Sequence, residues 1–144
     1  MLVRDVMTRD PITVAPDTAV RQARLLAQQQ GVRHLPVVHH RALIGMMTRR
    51  ELVDDTNDIL RAAAGFPDST PGAGGQRVRA VMQPAYPVVR PDMTVESAAR
   101  LLLIKGRSGV AVLDEQLHLV GILTTTDLLA AAMHTTPETA DLVT

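Results

Sequence analysis

The stretch that decides the fold is GILTTTDL at residues 121–128, because a diverged copy of it, GMMTRREL, lies at residues 45–52. In both copies an apolar segment runs into a threonine, and an acid, Asp127 or Glu51, follows three residues later. This pattern is typical of a strand that leads directly into a helix. The chain therefore contains a tandem repeat, and the differences between its copies bear on function.

The repeat extends over nearly the whole chain. VRDVM at residues 3–7 returns as VRAVM at residues 78–82, an offset of 78 − 3 = 75. From Gly45 to Gly121 the offset is 121 − 45 = 76, so one residue has been added in the turn before the last strand. A period of this length indicates one supersecondary unit used twice. Identical residues also occur at the offset of 75 in the pairs Pro16 and Pro91, Val20 and Val95, Ala23 and Ala98, and Gly31 and Gly106.

Each repeat predicts the order strand, helix, strand, strand, helix, which places the chain in the α/β (α+β) class. In the first copy, residues 12–14 predict a strand, and residues 18–30 predict a helix with Asp17 or Thr18 as its N-cap and Gly31 at its end. Residues 35–38 and 43–47 predict two strands joined by a turn at 39–41, and Thr48 starts the second helix. We expect repeats at residues 1–64 and 77–134, a flexible linker at 65–76 and a polar tail at 135–144.

This order of elements carries the motifs V-x-x-V-M, V-x-P-D, H-L-P-V-V and G-h-h-T-x-x-D, where h is apolar. Together they resemble the CBS domain, named after cystathionine β-synthase, and the tandem arrangement resembles a stand-alone Bateman module. The resemblance implies two repeats packed with pseudo-two-fold symmetry. It also implies a homodimer formed through the second helices, whose apolar residues include Leu52, Ile59, Leu128 and Leu129.

The T-x-x-D motif is the main candidate site. A helix N-terminus has free N–H groups and partial positive charge, which suit an anion, and a carboxylate there can accept hydrogen bonds from two neighbouring hydroxyls. The resemblance implies that Asp127 holds a ribose, that Thr124 and Thr126 line the sugar–phosphate part, and that Ile122 faces the base. It further implies a cleft between the repeats. The other residues that line this cleft are Pro11, Ile12, Thr13, Arg33 and His34.

A purely structural interpretation competes with this one. T-x-x-D and T-x-x-E both have the form of a capping box, in which the threonine and the acid satisfy each other's backbone donors. Exposed charges are common at strand ends, which would equally explain Arg33 and His34.

The opposite cleft is predicted to be impaired. It would combine Glu51 with Tyr86, Pro87 and Val88, and Ser108 and Gly109 replace its basic positions. Arg49 and Arg107 could partly compensate.

Composition excludes several function classes. The 144 residues carry 15 basic and 15 acidic side chains, so no net charge favours nucleic acid or an anionic membrane as a partner. There is no cysteine, and His39 and His40 lack a third neighbouring ligand, so we expect no metal. No apolar run resembles a signal peptide or a membrane span, which favours a cytoplasmic location.

The functional prediction is a regulatory module that binds an adenosine-containing ligand and signals to a protein partner. AMP, ADP, ATP, NAD, S-adenosylmethionine and a cyclic dinucleotide all fit the sequence. The first alternative is a structural dimerisation module with vestigial clefts. The second is an enzyme, which the absence of G-x-S-x-G, P-loop, G-x-G-x-x-G and H-E-x-x-H motifs disfavours.

Overall fold

The computed structural model describes residues 1–53, 65 and 76–135. They form a mixed α/β fold, as the sequence predicts. In chain order the elements are α1 Val3–Val6, β1 Thr8–Arg9, α2 Val20–Gln30, β2 Leu35–His39, β3 Ala42–Met47, α3 Arg49–Val53, α4 Val78–Val81, β4 Val88–Val89, α5 Val95–Lys105, β5 Gly109–Leu113, β6 Leu119–Thr124 and α6 Thr125–Thr135.

The chain divides into two compact units that do not follow the linear repeats. One unit combines Met1–Pro11 with the chain from Pro87 onward, and the other is Ile12–Tyr86. We call them the Asp127 unit and the Glu51 unit, after the acid that each contains. The repeat limits of 1–64 and 77–134 remain a prediction about the linear chain.

The Asp127 unit is built on a four-stranded sheet in the order β1-β6-β5-β4. Strand β6 runs antiparallel to both β1 and β5, and β4 runs parallel to β5. Helix α5 covers the sheet through Ala98 and Leu102, which lie one turn apart on its buried face. The buried core of this unit comprises Val3, Val89, Ala98, Leu102, Val110, Val112 and Leu123.

The Glu51 unit contains the same arrangement in reduced form. Its β2–β3 hairpin matches the hairpin of β5 and β6. The pairing of β4 with β5 is replaced by a single parallel bridge between Val14 and Val37, and that of β1 with β6 by a single antiparallel bridge between Met46 and Gln83. The strand predicted at residues 12–14 is thus present only as the bridge at Val14. The buried core of this unit comprises Val14, Val20, Ala23, Ala27, Leu35, Val37, Met47, Leu52 and Val78.

The leading segments VRDVM and VRAVM, for which the sequence predicts no helix, form the short helices α1 and α4. Each joins the unit built on the strands of the other repeat. The Val3 N–H donates to the Met93 carbonyl at 2.8 Å, and the Val78 N–H donates to the Thr18 carbonyl at 2.8 Å. A helix of four residues has too few positions to show a period of 3.6, so only its tertiary partners define it.

The glycine of each G-h-h-T motif receives the methionine of a leading segment. A Cβ on Gly121 would lie 2.6 Å from the Met7 Sδ and 3.0 Å from the Thr8 carbonyl oxygen. A Cβ on Gly45 would lie 2.5 Å from the Met82 Sδ. The two motifs that recur in the sequence are therefore packed against each other, and glycine is required because the neighbouring backbone approaches closely.

Helix α2 corrects the predicted helix start. It begins at Val20 with Ala19 as N-cap, not at Thr18, so the proposed caps Asp17 and Thr18 are wrong. The Thr18 hydroxyl instead accepts from the Ala15 N–H at 3.2 Å, which stabilises a turn before the helix. The predicted helix end is confirmed, because Gly31 is left-handed with φ of 66°.

The added residue lies in the second hairpin turn, as the changed offset predicts. In the first hairpin His39 pairs with Ala42, so His40 and Arg41 form the turn, with φ of 50° and 67°. In the second, the Asp114 N–H donates to the His118 carbonyl at 3.0 Å and closes a longer turn.

Three predicted regions lie outside the described residues in whole or in part. They are the linker, of which only Gly65 and Gln76 are described, the continuation of the second helix with Ile59, and the tail beyond Thr135. Leu52, which the resemblance assigns to a dimer surface, is only 5% exposed and belongs to the core of the Glu51 unit, so that assignment is wrong.

Candidate functional site

The T-x-x-D motif lies where the sequence places it, at a junction of strand and helix. Strand β6 ends at Thr124 and helix α6 begins at Thr125. The Thr124 N–H donates to Asp127 Oδ2 at 3.0 Å, and the Asp127 N–H donates to Thr124 Oγ1 at 3.2 Å. This is a reciprocal capping box, so capping is one role of the motif.

The second carboxylate oxygen of Asp127 faces a residue of strand β1. The Thr8 hydroxyl donates to Asp127 Oδ1 at 3.2 Å, in an exposed position. A carboxylate offers about four lone-pair positions, and these two bonds use two of them. Asp127 thus keeps acceptor capacity beyond its capping role, on a side chain that is only half-buried.

The other candidates of the Asp127 unit differ in exposure. Thr126 is exposed in the first turn of α6, and Pro11 is half-buried where the leading segment ends. Ile122 is only 6% exposed, on the strand that pairs with both β1 and β5. Thr126 is therefore more open to a ligand than Ile122 is.

The remaining candidates belong to the Glu51 unit. Ile12 packs against its core, Thr13 and Arg33 are exposed, and His34 is half-buried just before β2. Burial lowers the pKa of His34 from the ordinary 6.5, the charge of Arg33 lowers it further, and Glu51 opposes the shift. The neutral form of His34 is therefore favoured at pH 7.

The T-x-x-E motif is bonded more fully than its counterpart. Glu51 Oε1 accepts from the Thr48 N–H at 2.8 Å and from the Thr48 hydroxyl at 3.0 Å. Gln83 Nε2 lies 3.3 Å from Oε1 and 3.2 Å from Oε2 of Glu51, and donates to Thr48 Oγ1 at 3.1 Å. Both oxygens of Glu51 are thus held by protein donors in a partly buried position.

Thr8 and Gln83, which are absent from the predicted site, contact the two acids. They occupy the same repeat position, since 83 − 8 = 75, and each directly follows the methionine of V-x-x-V-M. The sequence contained a signal, because the repeat position that holds a threonine in the first copy holds a glutamine in the second. Its meaning required the structure, which brings each residue to the acid of the other repeat.

The described part of the chain contains neither a membrane-spanning helix nor a metal-binding cluster. None of its helices combines the length and the apolar character needed to cross a membrane. No group of three or more His, Asp or Glu side chains is placed there to hold a metal ion.

Comparison with known proteins assigns the family. The family model for the CBS domain matches residues 3–63 and again residues 78–134. The chain therefore belongs to the CBS domain family and contains a tandem pair of these domains. This confirms the resemblance drawn from the repeated motifs.

Two curated relatives illustrate the range of proteins that contain this pair. The CBS domain-containing protein YhcV of Bacillus subtilis is 30% identical over 131 residues, which cover 91% of this chain and 85% of that protein. An inosine-5'-monophosphate dehydrogenase of Korarchaeum cryptofilum is 28% identical over 88% of this chain, but the chain spans only 23% of its length. The match to this enzyme thus concerns a minor part of it.

Two solved structures resemble the chain along most of its length. CBSX2 in complex with AMP is 30% identical, with a TM-score of 0.74, covering 92% of this chain and 96% of that one. The CBS domain pair of protein MJ0100, in complex with 5'-methylthioadenosine and S-adenosyl-L-methionine, is 25% identical, with a TM-score of 0.70, covering 91% and 94%. The ligands of both structures contain adenosine.

Proposed function

We propose that this chain is a regulatory module that binds an adenosine-containing ligand and signals its presence to a protein partner. The observation that carries the proposal is the Asp127 carboxylate. It retains acceptor capacity beside an exposed threonine hydroxyl, at the start of an eleven-residue helix. Two similar CBS pairs, CBSX2 and MJ0100, hold adenosine compounds in their solved structures.

The carboxylate suits a ribose for a chemical reason. The two neighbouring hydroxyls of a ribose are donors, and an ionised carboxylate only accepts hydrogen bonds. Hydrogen bonds to a charged acceptor are the stronger ones, and the exposed Thr8 bond can be exchanged for a ligand hydroxyl. Asp127 is accordingly the residue on which affinity should depend most.

The other candidates receive narrower roles. Thr124 and Thr126 would contact the sugar–phosphate part, and Ile122 the base. Arg33 would attract a phosphate, with His34 as a neutral hydrogen-bonding neighbour. Pro11, Ile12 and Thr13 would line the ligand site, the first two with apolar side chains and Thr13 with a hydroxyl.

A ligand screen tests the proposal. Thermal shift and calorimetry would be measured with AMP, ADP, ATP, NAD, S-adenosylmethionine and 5'-methylthioadenosine, since a ligand that binds only the native state raises stability. Asp127→Ala should weaken the preferred ligand by about 1.5–3 kcal/mol, the scale of a hydrogen bond to a charged group. Glu51→Ala is the matched control and should leave that affinity nearly unchanged. The proposal fails if the folded protein binds none of these ligands.

The structure also favours one alternative function. Both acids are engaged in capping interactions with their threonines, which is what a purely structural module would need. In that case Asp127→Ala and Glu51→Ala would change stability alone, and neither would affect the binding of any adenosine compound.

We also propose that the chain forms a homodimer. Helix α6 exposes Leu129 by 67% and Met133 by 70%, and these residues lie one turn apart on one side of the helix. An isologous contact through this side would cover them. Light scattering at micromolar concentration should show the dimer, and Leu129→Glu should convert it to monomer. A wild-type protein that is monomeric throughout this range would contradict the proposal.

A further inference from the structure

The amide of Gln83 contacts both the threonine and the acid of the T-x-x-E motif. We call this motif the Glu51 motif, and the T-x-x-D motif the Asp127 motif. The Gln83 nitrogen lies 3.3 Å and 3.2 Å from the two carboxylate oxygens of Glu51, and 3.1 Å from Thr48 Oγ1. We infer that Gln83 is an internal substitute for the ligand hydroxyls and closes this motif, so that the chain binds one adenosine ligand, at the Asp127 motif. The inference rests on the proposed function and specifies its stoichiometry.

The acceptor capacity of the two acids carries this inference. Among the described residues, Thr48 supplies two donors to Glu51 Oε1. Gln83, whose other N–H is used at Thr48 Oγ1, supplies a third donor that lies close to both carboxylate oxygens. Asp127 accepts one bond from Thr124 and one from Thr8. A ribose thus meets unused acceptors at Asp127 and a carboxylate at Glu51 that protein donors already surround.

The chemistry of the two facing residues explains the difference. A carboxamide carries two N–H donors on one nitrogen, so Gln83 can donate one hydrogen to Thr48 Oγ1 and the other to the carboxylate of Glu51. A threonine hydroxyl has a single hydrogen, so Thr8 can donate to only one acceptor at a time. Gln83 therefore bonds to both residues of its motif and covers the Glu51 carboxylate, whereas Thr8 bonds to Asp127 alone.

Partial burial makes the contacts of Gln83 with Glu51 costly to displace. The contacts of Gln83 with Glu51 are partly buried, while the bond between Thr8 and Asp127 is exposed. Displacing Gln83 would leave a partly buried amide to find new partners, and an unpaired buried polar group is costly. Water or a ligand can take the place of Thr8 without that penalty.

A reciprocal exchange of the two residues tests the inference. The variants are Thr8→Gln, which should close the Asp127 motif, and Gln83→Thr combined with Glu51→Asp, which should open the second motif. Calorimetry would use adenosine as the probe, because it lacks a phosphate and does not require Arg33 or a basic residue at Ser108. We expect one bound adenosine per wild-type chain and two per chain of the double variant. Thr8→Gln should weaken binding by at least about tenfold, the scale of one hydrogen bond to a charged acceptor.

The outcomes separate the inference from the proposed function. A wild-type chain that binds two adenosines with similar affinity overturns the inference alone. One adenosine in wild type and double variant, with Thr8→Gln unchanged, also overturns it and leaves the proposed function standing. A wild-type chain that binds no adenosine compound overturns both. If the double variant fails to fold by circular dichroism, Thr8→Gln decides the matter, because it alters the other unit.

Discussion

The Asp127 and Glu51 motifs descend from the same repeat position but differ in how the protein itself uses the acid. Asp127 accepts one capping bond and one exposed bond, whereas Glu51 is surrounded by Thr48 and the Gln83 amide. The change from threonine to glutamine at the facing position accounts for this. Duplication thus produced one acid with unused acceptor positions and one that protein donors surround.

The two units also differ in a helix cap and in the pairing of a strand. Helix α5 is capped by Thr94, whose hydroxyl accepts from the Ser97 N–H at 3.2 Å, while the N-cap of α2 is Ala19, whose methyl group cannot accept a hydrogen bond. Strand β4 forms a short parallel ladder, where the Glu51 unit has a single bridge at Val14. The Asp127 unit therefore has the side-chain cap on its long helix and the longer parallel pairing.

The largest expected effect on stability comes from removing the two acids. Glu51→Ala should lower the free energy of unfolding by about 1.5–3 kcal/mol, since it strips a partly buried amide of its charged acceptor. Asp127→Ala removes a capping acid and should cost about 0.5–2 kcal/mol. Chemical denaturation of both variants measures the difference. Equal losses would show that the two motifs are used alike.

Substitution of the two motif glycines should lower the free energy of unfolding by similar amounts, unlike removal of the two acids. Gly121→Ala and Gly45→Ala each drive a Cβ towards a methionine sulfur and a backbone carbonyl. Overpacking of this kind costs about 1–3 kcal/mol, and the similar distances predict similar losses of unfolding free energy. The same denaturation series checks this. A loss at only one glycine would mean that the leading segments are not packed equivalently.

The smallest effect concerns pH and only the Glu51 unit. The folded-state pKa of His34 is lowered, so the unfolded chain takes up the proton first as the pH falls. The native state is then favoured above pH 6.5, and this contribution is lost as the pH falls below 6.5 towards the folded-state pKa. His34→Gln should flatten this dependence in denaturation curves recorded from pH 7.5 to pH 5. Gly109 stands at the matching position of the other repeat and has no group to titrate. An unchanged slope in the variant would assign the dependence to other groups.

The sequence by itself determined the repeat, the order of the main elements and the position of the T-x-x-D motif. These features are local: a period of 3.6 or 2, a glycine at a left-handed helix end, and a threonine and an acid three residues apart all act within one segment. Gly31, Thr124 and Asp127 were placed correctly for that reason. The identity of the family followed from the order and duplication of such motifs.

Only the tertiary structure decided which segments belong together. It paired each leading helix with the strands of the other repeat, set Met7 on Gly121, and brought Gln83 to Glu51. These contacts join residues more than thirty positions apart, so no local pattern specifies them. They also decide how many donors each acid receives, and hence which of the two acids keeps more acceptor capacity.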